Sequence, residues 1–123
     1  MRNKVLLFGS KKNIILFSLG AISSLGFSPL SLFFLTIICY SLSIYLIADT
    51  QKKTTACLLG FLFGLGYHIF SLYWIAISFE MGDAGGYLVG TIAVLVLATF
   101  LSIFTAIAFY LIRIINKKLG LVY

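Results

Sequence analysis

Four long apolar runs dominate this 123-residue chain, at positions 13–27, 30–48, 56–79 and 87–112, and none of them contains Asp, Glu, Lys or Arg. As α-helices rising about 1.5 Å per residue, the runs would measure roughly 22, 28, 36 and 39 Å, against a hydrocarbon core of about 30 Å in a bilayer. Since 62% of the residues are hydrophobic and only 10% are charged, the chain lacks the polar surface of a soluble domain, in which about 25% of residues are charged. The pattern predicts an all-α integral membrane protein with four transmembrane helices, the first two forming a tight hairpin.

The basic residues lie in three clusters between and beside these runs. Nine Lys and Arg residues stand at Arg2, Lys4, Lys11, Lys12, Lys52, Lys53, Arg113, Lys117 and Lys118. The segment around 27–29 and the loop 80–86 contain none, and the loop carries Glu80 and Asp83 instead. Because basic residues concentrate in cytoplasmic loops, we expect a cytoplasmic N-terminus (1–12), a four-helix membrane domain (13–112) and a cytoplasmic tail (113–123).

The connection between the first two runs leaves the path of the chain open. It consists of little more than Gly26-Phe27-Ser28-Pro29, and a proline cannot continue the preceding helix. A hairpin that crosses the membrane and a re-entrant hairpin would both return the chain to the cytoplasm, and the short first run also suits a shallow hairpin. The basic start followed by an apolar stretch also resembles a signal peptide, but the hairpin interpretation uses every residue.

Two features inside the third run invite a functional interpretation. His68 is the ionisable side chain near its middle, and such a residue either serves a function or points into the bundle and bonds to a hydroxyl on a neighbouring helix. Gly60 and Gly64 form a G-x-x-x-G step followed by Gly66. Small residues so spaced predict close helix packing, either within the chain or against a partner.

The remaining polar residues do not form a recognisable catalytic or metal site. Cys39 and Cys57 match no metal or redox spacing, and Glu80 and Asp83 lie in a glycine-rich turn that we expect to be solvated. We therefore predict no metal, no cofactor and no catalytic residue in these runs. The net charge of +6 follows a membrane layout, so no nucleic-acid partner is expected.

Several short segments, taken in order, resemble a known family. Gly26-Phe27-Ser28-Pro29-Leu30 opens the second run, and the stretch 60–68, GFLFGLGYH, leads into 71–78, SLYWIAIS. Together with the basic clusters, these segments are similar to the start of bacterial apolipoprotein N-acyltransferases over residues 12–118. The residues that carry the resemblance are Phe27, Pro29, Gly60, Gly64, Gly66, Tyr73 and Trp74.

The resemblance implies a function and a location. The family transfers an acyl chain from a phospholipid to the N-terminal amine of lipoproteins, using a Glu-Lys-Cys triad in a nitrilase-like domain. No residue here matches that triad, so the resemblance implies the membrane part of an acyltransferase of lipoprotein biosynthesis, truncated and inactive alone, in the bacterial cytoplasmic (inner) membrane. The implied partners are membrane phospholipids, a separately encoded catalytic domain and a lipoprotein substrate.

Two other functions suit the same helices. One is a small four-helix membrane transporter or channel, although the spans contain no acid of the kind that ion-coupled transport uses. The other is a non-enzymatic membrane adaptor that assembles through the glycine face of the third run.

Overall fold

Four α-helices build the fold in the part of the chain that the structure describes. The structure is a computed structural model that describes residues 2–26, 30–48, 50 and 52–120, with side chains from residue 11 onwards. The elements are α1 (Arg2–Ser23), a 3-10 turn (Ser24–Gly26), α2 (Phe33–Ala48), α3 (Lys53–Met81) and α4 (Gly86–Leu119). The predicted all-α class is confirmed. The Phe27–Pro29 segment, which carries part of the family resemblance, lies outside the described residues.

Two of the helices are long and apolar enough to cross a membrane. They are α3, with 29 residues, and α4, with 34, which correspond to about 43 and 51 Å. Helix α2 is apolar but has 16 residues, or about 24 Å. The structure therefore supports two membrane-spanning candidates among the described residues, and a bundle of four transmembrane helices stays a prediction.

The helices extend beyond the apolar runs at the basic ends of the chain. Helix α1 begins at Arg2 rather than at the first apolar residue, and α4 continues through its basic residues to Leu119. Lys, Arg and Leu are all good helix formers, so a charge cluster can end a membrane span without ending the helix. Helix α4 ends where Gly120 adopts a left-handed conformation and its N–H bonds to the Asn116 carbonyl at 2.8 Å, a common glycine cap.

Helices α3 and α4 form an antiparallel pair with the most extensive contact in the fold. A four-residue turn joins them, and Gly85 and Gly86 take φ values of 96° and 80° there, which glycine adopts without strain. Along the pair, Gly60 lies against Phe109 and Ala106, and Gly90 lies against Ala76. A Cβ atom built on Gly60 would stand 2.8 Å from the Phe109 Cβ, so the bare backbone sets this spacing.

Helix α1 packs on another side of α3 through a second pair of glycines. A Cβ atom on Gly20 would overlap the Phe63 carbonyl oxygen, and one on Gly66 would overlap the Phe17 carbonyl oxygen. The buried core between the helices is formed by Leu16, Ile47, Ala56, Leu59, Phe63 and Phe109. Helix α2 rests mainly on α1, and the Thr36 hydroxyl donates to the Ser23 carbonyl at 2.9 Å.

Helix α1 and its turn, as far as they are described, end short of the end of α3. Gly20 lies level with the backbone between Phe63 and Tyr67. Beyond that level α1 and its turn add six residues, to Gly26, whereas α3 adds fourteen, to Met81. At about 1.5 Å per residue, Gly26 stands roughly 12 Å before the end of α3 and roughly 30 Å beyond the level of Lys53, so the spanning and the re-entrant hairpin both stay open.

Gly66→Ala tests the α1–α3 contact. The added methyl group meets the backbone of Phe17 and Ala21, so the two helices must separate, and we expect a loss of roughly 1–3 kcal/mol in the free energy of unfolding. Unfolding in mixed micelles, followed by far-UV circular dichroism, would measure it. Gly82→Ala is the control, because Gly82 is exposed and has a φ of −87°. Equal stability of Gly66→Ala and the unchanged chain would contradict this packing.

Candidate functional site

The glycines predicted to form one packing face lie on two faces of α3. Gly60 and Gly64 are four residues apart and both meet α4, where a Cβ atom on Gly64 would stand 2.9 Å from the Thr105 Cβ. Gly66 comes six residues after Gly60, about 240° further around the helix, and meets α1. All three are buried inside the fold. The interpretation as internal packing is therefore supported, and no glycine of this set is left for an external partner.

Helix α4 meets this surface with a row of small residues. Gly90, Val94, Ala98, Ser102 and Ala106 repeat every four residues and are all buried. We did not identify Gly20 on α1 as a packing residue from the sequence. The signal was present, because Gly20 and Ser24 form the small-x-x-x-small spacing that permits close helix contact.

An aromatic chain connects three helices next to the glycines. The Phe63 ring of α3 packs edge-to-face against Tyr40 of α2, with centroids 4.9 Å apart, and against Phe109 of α4 at 5.4 Å. Phe63 and Phe109 are almost completely buried. Edge-to-face pairs add attraction beyond the area they bury, so these rings help to hold α2 and α4 against α3.

His68 bonds within its own helix. Its Nδ1 lies 2.7 Å from the carbonyl oxygen of Gly64, so the ring nitrogen donates to the backbone one turn earlier. The ring also packs edge-to-face with Tyr67 at 5.2 Å. We expected a hydroxyl on a neighbouring helix as the partner, and that expectation was wrong. The local bond satisfies one ring nitrogen without another helix, which gives His68 a structural explanation.

Tyr73 and Trp74 lie on the half of α3 that ends at Met81. Their side chains are 57% and 54% exposed, as suits rings at a membrane interface, where an apolar body and a polar tip both find partners. Phe27 and Pro29 lie outside the described residues, so the structure does not place the first part of the family motif.

The described residues do not assemble an acyl-transfer centre. Cys39 is buried in α2, and Cys57 is half-buried near the start of α3. Glu80 lies 23 residues after Cys57 on the same helix, or about 34 Å away along its axis. No group of three or more His, Cys, Asp or Glu side chains occurs between the described ends of the chain.

The basic end of the bundle contains a contact that the sequence did not predict. The Arg113 Nε donates to the Thr50 carbonyl oxygen at 2.6 Å. This bond ties the last part of α4 to the loop between α2 and α3. The two residues are 63 positions apart, and no local pattern relates them.

Comparison with known proteins identifies the family. Residues 19–123 match the apolipoprotein N-acyltransferase N-terminal domain, so the chain belongs to the apolipoprotein N-acyltransferase family. It is 30% identical over 117 residues to the apolipoprotein N-acyltransferase of Rhodopseudomonas palustris, a match covering 90% of this chain and 22% of that protein. It is 36% identical to the Bradyrhizobium diazoefficiens enzyme, over 93% of this chain and 22% of the relative. No solved structure matches the chain significantly.

The relatives therefore confirm the family resemblance, and they also show that it covers only part of the relatives' length. The chain spans about a fifth of their length, with 19% covered in the Pasteurella multocida enzyme. The shared region is the N-terminal domain of the family, and most of it lies in the glycine-packed helices.

His68→Leu tests the structural explanation of this residue. The substitution removes one bond to a carbonyl that α3 already uses, so we expect the free energy of unfolding to change by less than about 1 kcal/mol. Phe63→Ala, which empties the centre of the aromatic chain, should cost about 3–5 kcal/mol. Micellar unfolding would compare the two. A larger loss for His68→Leu than for Phe63→Ala would show that His68 has a partner beyond Gly64.

Proposed function

We propose that this chain is the N-terminal membrane part of an apolipoprotein N-acyltransferase, which transfers an acyl chain from a phospholipid to a lipoprotein during lipoprotein maturation. The observation that carries the proposal is the family match over residues 19–123. The names of the relatives supply the class of reaction, N-acylation of an apolipoprotein, and the helices described above form the N-terminal part of such an enzyme.

In this proposal the chain acts as a scaffold. Acyl transfer through a covalent intermediate needs a nucleophile with a base within hydrogen-bond reach. Cys39 and Cys57 lie in or against the helix bundle, far from the acids of the 80–86 loop. The nucleophile and its base then come from another part of the enzyme, and these residues anchor that part and shape the access of lipid to it.

In the proposed orientation, the chain lies in the bacterial inner membrane and both of its ends lie in the cytoplasm. Lys53, Lys117 and Lys118 lie together at one end of the α3–α4 pair, while Glu80 and Asp83 lie at the turn at the other end. This separation supports the orientation, because Lys and Arg mark the cytoplasmic side. In the same proposal, the α1–α2 hairpin enters the membrane from the cytoplasmic side and returns to that side.

Thiol labelling tests the orientation. In a chain whose own cysteines are replaced, Cys39→Ala and Cys57→Ala, we would compare Asp83→Cys with Lys118→Cys in intact spheroplasts, using a membrane-impermeant maleimide. The thiol at position 83 should react at once, and the thiol at 118 only after the membrane is permeabilised. The reverse order would overturn the orientation.

Complementation tests the scaffold role. In cells that lack lipoprotein N-acylation, this chain alone should leave lipoproteins with a free N-terminal amine. Co-expression with the part of the Rhodopseudomonas palustris enzyme that lies beyond the matched 22% should restore the acyl chain on the N-terminal amine, which mass spectrometry of a purified lipoprotein detects.

The controls separate the possible outcomes. The relative's remaining part expressed alone should be inactive, and Gly82→Ala in this chain should act like the unchanged protein. Acylation by this chain alone would overturn the inactive scaffold, and failure of co-expression with both parts in the membrane would overturn the role in the enzyme.

A further inference from the structure

A groove runs along one side of the α3–α4 pair at its basic end. Two adjoining cavities of about 430 and 420 Å³ share Thr54, Cys57 and Ile107 in their walls. Helix α3 contributes one wall through Cys57, Leu58 and Phe61, and α4 contributes the other through Ile103, Ile107 and Tyr110. The walls are apolar over nearly their whole length.

A basic pocket lies at the end of this groove. It has a volume of about 270 Å³ and is lined by Lys53, Arg113, Ile114, Lys117 and Lys118. Lys53 also lines the neighbouring cavity of the groove, so the pocket and the groove are continuous. The three lysines are exposed, and Arg113 is held in place by its bond to Thr50.

The pocket has an excess of positive charge. The chain contains three acids. Glu80 lies 27 residues after Lys53 along α3, or about 40 Å away, and Asp83 lies beyond it. Even if Asp49, which precedes Thr50 in the sequence, is counted against the four cations, their sum stays positive. An occupant with a negative charge would complement the pocket.

The groove and the basic pocket together are about as long as one leaflet of a bilayer is thick. From Ile103 to Ile114 the α4 wall covers 12 residues, or 11 helical steps of about 1.5 Å and roughly 16 Å in all. The apolar groove, from Ile103 to Tyr110, takes about 10 Å of this length, and half of the hydrocarbon core is about 15 Å. A ligand that fills both parts needs an anionic head and an apolar tail that extends from it into the same leaflet.

We propose that this groove binds an anionic phospholipid, with its phosphate among Lys53, Arg113, Lys117 and Lys118 and one acyl chain between Phe61 and Ile107. Basic pockets between membrane helices on the cytoplasmic side recognise anionic headgroups. In the orientation proposed above, this lipid belongs to the cytoplasmic leaflet, so the groove is a lipid site separate from acyl transfer.

The experiment uses a tryptophan in the groove as a reporter. In a Trp74→Phe background, Tyr110→Trp places the indole in the groove wall, and Ala108→Trp places it on the exposed surface at nearly the same depth, about 200° around the helix. The chain would be reconstituted in phosphatidylcholine vesicles that contain brominated phosphatidylglycerol or brominated phosphatidylcholine, whose bromine atoms quench tryptophan on contact. Ile103→Trp, deeper in the groove, serves as a second reporter if Tyr110→Trp fails to fold.

We expect the groove reporter to show several-fold stronger association with phosphatidylglycerol than with phosphatidylcholine, and the surface reporter to show nearly none. Lys117→Gln/Lys118→Gln should remove most or all of that preference, while Lys11→Gln/Lys12→Gln, an adjacent lysine pair on α1, should leave it unchanged. Three results would each overturn the proposal. The two lipids could quench the groove reporter equally, the groove and surface reporters could show the same preference, or neither lipid could quench the groove reporter because protein covers the groove. None of these results depends on acylation activity, so this inference can fail while the proposed function stands.

Discussion

The close approach of bare backbone at Gly20, Gly60, Gly64, Gly66 and Gly90 is the constraint on which the rest of the structure depends. In a membrane, the lipid is as apolar as the helix surfaces, so helices associate through van der Waals contact rather than through the hydrophobic effect. Such contact is short-ranged. A Cβ atom at Gly66 or Gly90 would meet main-chain atoms, which cannot move away by a change of rotamer. With α1 and α4 held this closely, the Phe63 ring can reach both Tyr40 and Phe109.

The packing of the helices around α3 also explains why the two ends of the fold differ in charge. The antiparallel α3–α4 pair brings Lys53 to Arg113 and the lysines of the last turn, while its turn carries Glu80 and Asp83. The same pairing leaves the groove between α3 and α4, at the end of the pair where the basic residues lie. Helix packing, charge separation and the proposed lipid site therefore follow from one arrangement.

Much of this arrangement could be predicted from the sequence, and the missing parts have physical reasons. Apolar runs indicated the helices, because a membrane segment must be both apolar and about 20 residues long. The spacing of Gly60 and Gly64 predicted that both are buried. That Gly66 faces a different helix could be seen only once its angle around α3 and the position of α1 were known. The hydroxyl partner expected for His68 was wrong because a carbonyl of its own helix lies closer. The Arg113–Thr50 bond and the groove depend on residues distant in sequence, and no local pattern reports such contacts.

The most direct test of the account is a chimera of the Rhodopseudomonas palustris enzyme in which residues 19–123 of this chain replace the matching N-terminal segment. If these residues are the membrane part of an apolipoprotein N-acyltransferase, the chimera should insert in the membrane and N-acylate a lipoprotein at a rate close to that of the parent enzyme. A chimera that is folded and inserted, and whose lipoproteins still carry a free N-terminal amine, would contradict the account.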